Sequence, residues 1–165
     1  IAAGYYHSVA TTTDGKLYAW GLNNYGQIGD GTTTNRSSPV QVGALTTWSA
    51  PSAGTQWSLS TKTDGTVWTW GMNTYGQLGD GTTTQRLSPV QVGALTTWSQ
   101  VEAGSFSGYA IKTDGTFWDW GRNHNGQLGL GNLTDYSSPV QVGALTTWSV
   151  LPRMSRSFAP VVLTD

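Results

Sequence analysis

Two short runs of alternating side chains flank a turn in the middle of this sequence: Ser58-Leu59-Ser60-Thr61-Lys62 and Thr66-Val67-Trp68-Thr69-Trp70 lie on either side of Thr63-Asp64-Gly65. Alternation places successive side chains on opposite faces of a strand, and Asp-Gly between two such runs is a strong hairpin signal. The prediction is an antiparallel hairpin with Trp68 and Trp70 on one face and Val67 and Thr69 on the other. Thr13-Asp14-Gly15 and Thr113-Asp114-Gly115 repeat the turn, with Gly15, Gly65 and Gly115 supplying the positive φ that it demands. Tyr18/Trp20 and Trp118/Trp120 repeat the aromatic face, opposite Leu17/Ala19 and Phe117/Asp119. Two more short strands are expected per unit. One is Pro-Val-Gln-Val, with Val40/Val42, Val90/Val92 and Val140/Val142 sharing a face, and the other begins at Trp48, Trp98 and Trp148. Between them, residues 71–81 are too rich in Gly and Asn for a helix or regular strand and predict a structured loop.

This unit occurs three times. Residues 38–49, Ser38-Pro39-Val40-Gln41-Val42-Gly43-Ala44-Leu45-Thr46-Thr47-Trp48-Ser49, return unchanged at 88–99 and 138–149. The expected units are 1–50, 51–100 and 101–150, with 151–165 a degenerate partial fourth repeat or terminal cap. A unit this short cannot bury its apolar face alone and must stack on its copies. Four-stranded units with a periodic Gly/aromatic motif imply an all-β fold of antiparallel β-propeller blades. Propellers close with about four to eight blades, so about three blades are expected to be part of a larger ring or assembly. One Trp buries roughly 150–250 Å², and nine of them can supply much of a core that has only three Phe. Trp20, Trp70, Trp120, Trp48, Trp98 and Trp148 are therefore assigned to packing.

The chain has 165 residues, a net charge of −1 and 10% charged residues, which argues against the basic stripe that nucleic-acid binding needs. The absence of Cys excludes disulfides and thiolate metal sites but fits several compartments. No apolar run approaches the roughly 20 residues of a membrane helix, so no membrane insertion is expected. The start at Ile1 shows neither a signal-peptide pattern nor an initiator Met, as in a processed chain or a fragment.

Catalytic signals are sparse. Asp14, Asp64 and Asp114 sit in hairpin turns, and Asp30 and Asp80 in Gly-Asp-Gly-Thr, where turn geometry explains them better than paired acid–base chemistry. One Asp per loop, replaced by Leu130 in the third copy, is too little for the six to eight oxygens that calcium usually takes. His7 and His124 occupy non-equivalent positions, and without Cys they make neither a zinc site nor a Cys-His nucleophile. The serines lack a Gly-x-Ser-x-Gly elbow, and the Gly-rich loop lacks Gly-Lys-Ser/Thr. No enzyme, metal or cofactor is expected.

Comparison of the copies separates scaffold from variable surface. Tyr5-Tyr6-His7 becomes Thr55-Gln56-Trp57 and then Ser105-Phe106-Ser107. Leu22, Asn24 and Tyr25 become Met72, Thr74 and Tyr75, then Arg122, His124 and Asn125, while Asn35-Arg36 becomes Gln85-Arg86, with Tyr136 entering nearby in the third copy. Loops on a rigid scaffold are where binding usually sits, and Tyr, Trp, His and Arg anchor interfaces. The candidate binding residues are Tyr5, Tyr6, His7, Tyr25, Arg36, Gln56, Trp57, Tyr75, Arg86, Phe106, Arg122 and His124. Drift at unconstrained loop positions is the competing explanation.

The loop Gly-x-Asn-x-x-Gly-Gln-x-Gly at 21–29, 71–79 and 121–129, with Ala3-Gly4-Tyr5-Tyr6-His7-Ser8, resembles the regulator of chromosome condensation repeat family. That resemblance implies a propeller of fifty-residue blades, usually seven, and its uniform Thr-, Asn- and Trp-rich copies look like bacterial and bacteriophage members. The His of the Ala-Gly-x-x-His-Ser segment occurs once, as His7, and Trp57 and Ser107 replace it elsewhere. The uninterrupted repeats also lack the inserted element that exchange factors of this family use. The expected function is a non-catalytic module for structural assembly or recognition, in a virion appendage or secreted bacterial protein. Its partner would be a protein or further copies or blades of the same protein. A guanine-nucleotide exchange or GTPase-interacting regulator, and a glycan-binding propeller using Trp57 and Tyr75, are the alternatives.

Overall fold

The Asp-Gly turns are held from two sides. In the computed structural model, which describes residues 1–151 and the backbone of residues 162–163, the Gly65 amide donates to the Lys62 carbonyl at 3.0 Å and the Lys62 amide to the Thr66 carbonyl at 2.9 Å. Gly15, Gly65 and Gly115 have φ of 76°, 78° and 77°, a region that costs an L-residue about 1–2 kcal/mol. A Cβ at any of the three would also collide with the carbonyl oxygen of Thr46, Thr96 or Thr146 in the linker to the next unit. The neighbouring carboxylates shape the turns. Asp64 Oδ1 accepts from the Thr66 amide at 3.0 Å and hydroxyl at 2.6 Å, and Thr66 Oγ1 accepts from Trp68 Nε1 at 2.9 Å. Asp114, Thr116 and Trp118 repeat the arrangement.

Around each hairpin forms a four-stranded antiparallel sheet in which every strand pairs with its sequence neighbours. The first comprises β1 (Ala2–Ala3), β2 (His7–Thr11), β3 (Leu17–Gly21) and β4 (Arg36–Gln41). The second comprises β5 (Trp48–Ala53), β6 (Trp57–Lys62), β7 (Val67–Gly71) and β8 (Arg86–Gln91), and the third β9 (Trp98–Ala103), β10 (Ser107–Lys112), β11 (Phe117–Gly121) and β12 (Tyr136–Gln141). The hairpin register pairs Trp57 with Gly71, Leu59 with Thr69 and Thr61 with Val67. β13 (Trp148–Val150) and β14 (Val162–Leu163) open a further sheet. The rest of the expected terminal unit, residues 152–161 and 164–165, lies outside the described residues.

The core lies between the sheets. Val9, Leu17, Ala19, Ile28 and Val42 of the first blade pack on Trp48 and Trp70 of the second, with Trp68 at the edge. Trp57, Leu59, Val67, Leu78 and Val92 then pack on Trp98, Val101, Ala103, Ala110 and Trp120 of the third. The aromatic face of each hairpin thus meets the aliphatic face of the preceding blade. Trp20, on the first blade's aromatic face, is half-buried. Trp148 packs 5.3 Å from Phe117, beside Tyr109, Ile111 and Leu151.

The Gly-Gln-x-Gly motif is the seat for this packing. Trp70 Nε1 donates to the Gln27 carbonyl and Trp120 Nε1 to the Gln77 carbonyl, both at 2.9 Å. A Cβ on Gly29 or Gly79 would lie 2.7 Å from that same Nε1. Ile28, Leu78 and Leu128 are buried between the two motif positions. Asn23, Asn73 and Asn123 brace the loop from inside, their Oδ1 atoms accepting from the Ile28, Leu78 and Leu128 amides at 2.9, 2.9 and 3.0 Å.

Candidate functional site

The variable segments gather at one end of the stack because backbone bonds tie each Gly-rich loop to the turn joining the first two strands of its own blade. The Leu22, Met72 and Arg122 amides donate to the carbonyls of Tyr6, Gln56 and Phe106 at 2.8, 3.0 and 2.9 Å. The Thr55 amide reaches the Ser105 carbonyl at 3.2 Å and links two of these turns. The Asp-Gly hairpins and the linkers carrying Leu45, Leu95 and Leu145 lie at the opposite end, since chain direction reverses along each strand.

Four of the candidate residues form one cluster across two blades. Tyr75 comes from the second blade's loop, Phe106 from the third blade's turn, and Arg122 and His124 from the third blade's loop. Tyr75 packs edge-on against Phe106 at 5.5 Å and His124 at 5.6 Å between ring centroids. The Arg122 guanidinium lies 5.1 Å from the Tyr75 centroid and 5.9 Å from that of Phe106. Its Nε donates a long bond, 3.4 Å, to His124 Nδ1. The other ring nitrogen, Nε2, faces Asp135 Oδ2 at 3.1 Å. Cation–π contacts of this kind contribute about 0.5–1 kcal/mol at exposed sites and more when desolvated.

Asp135 was missed by the sequence reading. It stands where the first two copies have Asn35 and Gln85, and its Oδ1 accepts from the Asn123 amide at 2.6 Å, as Asn35 Oδ1 does from Asn23 at 2.8 Å. The change from amide to carboxylate at a matched position was the available signal.

Two candidate residues are corrected. His7 and Trp57 start strands rather than sit in loops, and both are buried, at 4% and 0% exposure. His7 Nε2 lies 2.8 Å from Ser58 Oγ, whose hydroxyl donates to the Gln27 carbonyl at 2.8 Å, while Trp57 Nε1 donates to the Gly104 and Ser105 carbonyls at 3.1 and 3.2 Å. They fasten blade to blade and present nothing to solvent. Burial lowers the His7 pKa to about 4.

Arg36 and Arg86 also start strands, β4 and β8, and each is occupied by an Asp of the loop before it. Arg36 holds Asp30 Oδ2 through Nε at 2.7 Å and a terminal amino group at 2.6 Å, and Arg86 holds Asp80 the same way, both bonds at 2.7 Å. Burial pushes both carboxyls up, but hydrogen bonds from Thr32 and Arg36, or Thr82 and Arg86, outweigh it and hold them below the usual carboxylate range. In the third blade Leu130 and Tyr136 replace Asp and Arg together. Tyr5 and Tyr6 form an exposed edge-on pair at 4.4 Å. Tyr25 and Gln56 are half-buried at the same end of the stack but do not join the cluster.

A separate apolar cleft of about 220 Å³ lies between the second and third blades, lined by Val92, Leu95, Trp98, Trp118 and Pro139 with Gly79, Asp80 and Gly81. None of the candidate binding residues lines it.

Comparison with known proteins agrees with this architecture. Residues 64–111 and 114–151, more than half of the chain, match the regulator of chromosome condensation (RCC1) repeat, and residues 1–27 match a second profile of the same description. A 42-residue stretch is 52% identical to the ultraviolet-B receptor UVR8 of Arabidopsis thaliana, covering 26% of this chain and 10% of that protein. Among solved structures, Prp20p of Saccharomyces cerevisiae, described with its binding to Gsp1p and histones, superposes with a TM-score of 0.80 at 24% identity over 90% of this chain and 39% of that one. Human WBSCR16 gives 0.75 at 26% identity over 84% and 36%. The chain therefore spans about a tenth of the plant receptor and less than two-fifths of either structural neighbour.

Proposed function

The chain belongs to the RCC1 repeat family, and from that premise we propose that it is a non-catalytic interaction module whose protein partner docks on the loop end of its blades. The observation carrying this reading is the convergence of Tyr75, Phe106, Arg122 and His124 from three segments of two blades. Aromatic residues and Arg dominate interface energetics, and here they stand on a scaffold that fixes them before a partner arrives. Their departures from the other copies are coordinated: Arg122, His124, Phe106 and Asp135 all differ from their counterparts and all touch one another or a shared neighbour. Drift at independent positions has no reason to produce such a set.

The stacking surfaces at the two ends of the blade series belong to the same proposal. Tyr18 and Trp20 on one side stay half-buried, a face of the kind that blades cover for each other, while on the other side Tyr109, Ile111, Phe117 and Leu151 are already buried together with Trp148 packed against them. A further blade, from the same polypeptide or from another copy, would cover Tyr18 and Trp20. A virion or extracellular setting, in a bacterial or bacteriophage protein, is also a proposal and rests on the low charge, absent Cys and uniform copies.

A GTPase-directed regulator is the second reading, suggested by the likeness to Prp20p. The glycan reading loses Trp57 to the core, and the rings of Tyr75 and Phe106 already engage Arg122 and each other. Panning a peptide-display library against the chain tests docking. Enriched binders should weaken at least about tenfold, or about 1.4 kcal/mol, with Tyr75→Ser or Phe106→Ser and be unaffected by Leu45→Ser or Leu95→Ser at the opposite end. Binders sensitive only to the Leu substitutions would place the docking surface at the wrong end.

A further inference from the structure

Resting on that docking reading, we infer that Arg122 is a receptor for a carboxylate, so that the segment seated on the loop end is an acidic stretch of a partner protein. The cation is peculiar to the third blade, because the same loop position holds Leu22 and Met72 in the other two. It is also the loop arginine that holds no carboxylate directly among the described residues. Arg36 and Arg86 each clasp an Asp of their own loop. The third blade has Leu130 at that Asp position, and its new carboxylate, Asp135, is engaged by His124 and by the Asn123 amide. Among the described residues Arg122 makes no ion pair.

The guanidinium is nonetheless held in place. Tyr75 and Phe106 contact it, His124 takes its Nε–H, and the Arg122 amide is tied to the Phe106 carbonyl. Ring contacts orient the cation without cancelling its charge. With Nε engaged, the two terminal amino groups keep the planar pair of donors that matches both oxygens of a carboxylate. A half-buried Arg fixed beforehand loses little side-chain freedom on binding, and flanking aromatic surface lowers the local dielectric, which strengthens the pair.

The shape of the site favours a protein over a small acid. It is a platform bridging two blades, edged by the exposed Thr74, Ser105, His124 and Asn125, and the described apolar cleft is lined by other residues. A free carboxylate would have one charge contact and few walls. An acidic side chain carried on a polypeptide would bring its neighbours onto Tyr75, Phe106 and the rim.

The test uses three sets of short peptides sharing one pattern of Leu and Tyr and carrying Asp and Glu, Asn and Gln, or Lys and Arg at the remaining positions. Each is titrated by fluorescence anisotropy against the 165-residue chain and its variants. Arg122→Met is the informative substitution, since Met72 occupies this position in the second blade and the fold accommodates it. The acidic set should bind best, weaken with added salt, and lose about tenfold or more in affinity with Arg122→Met, with Arg122→Lys in between. If the neutral set binds as tightly as the acidic one, or Arg122→Met leaves acidic binding unchanged, the carboxylate inference is overturned. Docking at this end would survive that outcome where Tyr75→Ser still weakens binding. Failure of all three sets would overturn both.

Discussion

Two glycines two residues apart, with nearly the same φ, should respond very differently to a single methyl group. Gly29 and Gly31 have φ of 80° and 82°, so Ala at either position meets the same left-handed backbone cost, about 1–2 kcal/mol. Their surroundings differ. A Cβ at Gly29 would lie 2.7 Å from Trp70 Nε1 and 2.8 Å from its Cδ1, whereas at Gly31 the nearest atom is Ser88 Oγ at 3.7 Å. Trp70 is fully buried between two sheets and cannot recoil without dragging Nε1 off the Gln27 carbonyl. Overpacking costs roughly 1–3 kcal/mol, and a weakened buried hydrogen bond adds to it. Gly29→Ala is therefore expected to destabilise the chain by about 2–5 kcal/mol and Gly31→Ala by about 1–2 kcal/mol. Gly79→Ala should repeat the large effect against Trp120. Gly129 provides the internal control. It has φ of 67°, but its nearest neighbour among the described residues is Val142 Cγ1 at 3.5 Å, an ordinary contact, so against those residues Gly129→Ala should cost no more than Gly31→Ala. Equilibrium urea denaturation followed by Trp fluorescence and circular dichroism measures all four. Equal effects at Gly29 and Gly31, or a Gly129 effect as large as that at Gly79, would refute the argument that the motif glycine exists to seat the next blade's Trp.

Two predictions concern pH. His7 stays neutral in the fold down to about pH 4 because burial penalises its charge, while in the unfolded chain it protonates near 6.5. Stability should be unaffected by this group above pH 6.5 and fall by up to roughly 3 kcal/mol between pH 6.5 and 4; a parallel pH profile for His7→Gln would dismiss it. Asp119 has the opposite sign. Burial raises its pKa well above the ordinary value, so the folded chain keeps a proton that the unfolded chain releases near pH 3.9, and stability declines as pH rises from there towards the folded value. Asp119→Thr introduces the residue found at Thr69, whose hydroxyl donates to the Leu78 carbonyl at 2.7 Å. It should melt higher than the parent at pH 7 and lose that advantage towards pH 4, and no gain at pH 7 would count against a carboxyl that burial holds protonated.

The strands and their turns were legible because each depends on neighbours in sequence. Asp64-Gly65 announces its hairpin, and the alternation of Val67, Trp68, Thr69 and Trp70 assigns the faces that the blades then use. The roles of His7 and Trp57 were not legible, because their surroundings are built from another blade. His7 meets Ser58, and Trp57 meets Gly104 and Ser105, each about one period away. Variation from copy to copy was read as surface freedom, yet at this position it records different ways of fastening two blades. The Tyr75–Phe106–Arg122–His124 cluster was legible as a set of unusual residues but not as one place. Only the backbone ties between turn and loop, such as Arg122 to Phe106, bring the third blade's turn and loop together against the second blade's Tyr75. Asp135 escaped notice because Asp in a loop rich in Asn and Thr reads as one more turn former.

Every Trp-to-Gln bond in the stack runs from a blade back to the one before it, and the segment joining consecutive blades is the same at 38–49, 88–99 and 138–149. Genetic recombination within that shared segment would add or remove one whole blade at a stroke. Each resulting boundary would still present a Gln carbonyl and a glycine seat on one side and an indole on the other. Blade number can then change with the Trp-to-Gln seat re-formed at each new junction, while the His7–Ser58 contact would have to be replaced, since the third copy has Gly108 at the position of Ser58. A specialised loop such as the one carrying Arg122 travels intact with its blade and can be inherited, duplicated or lost as a single character.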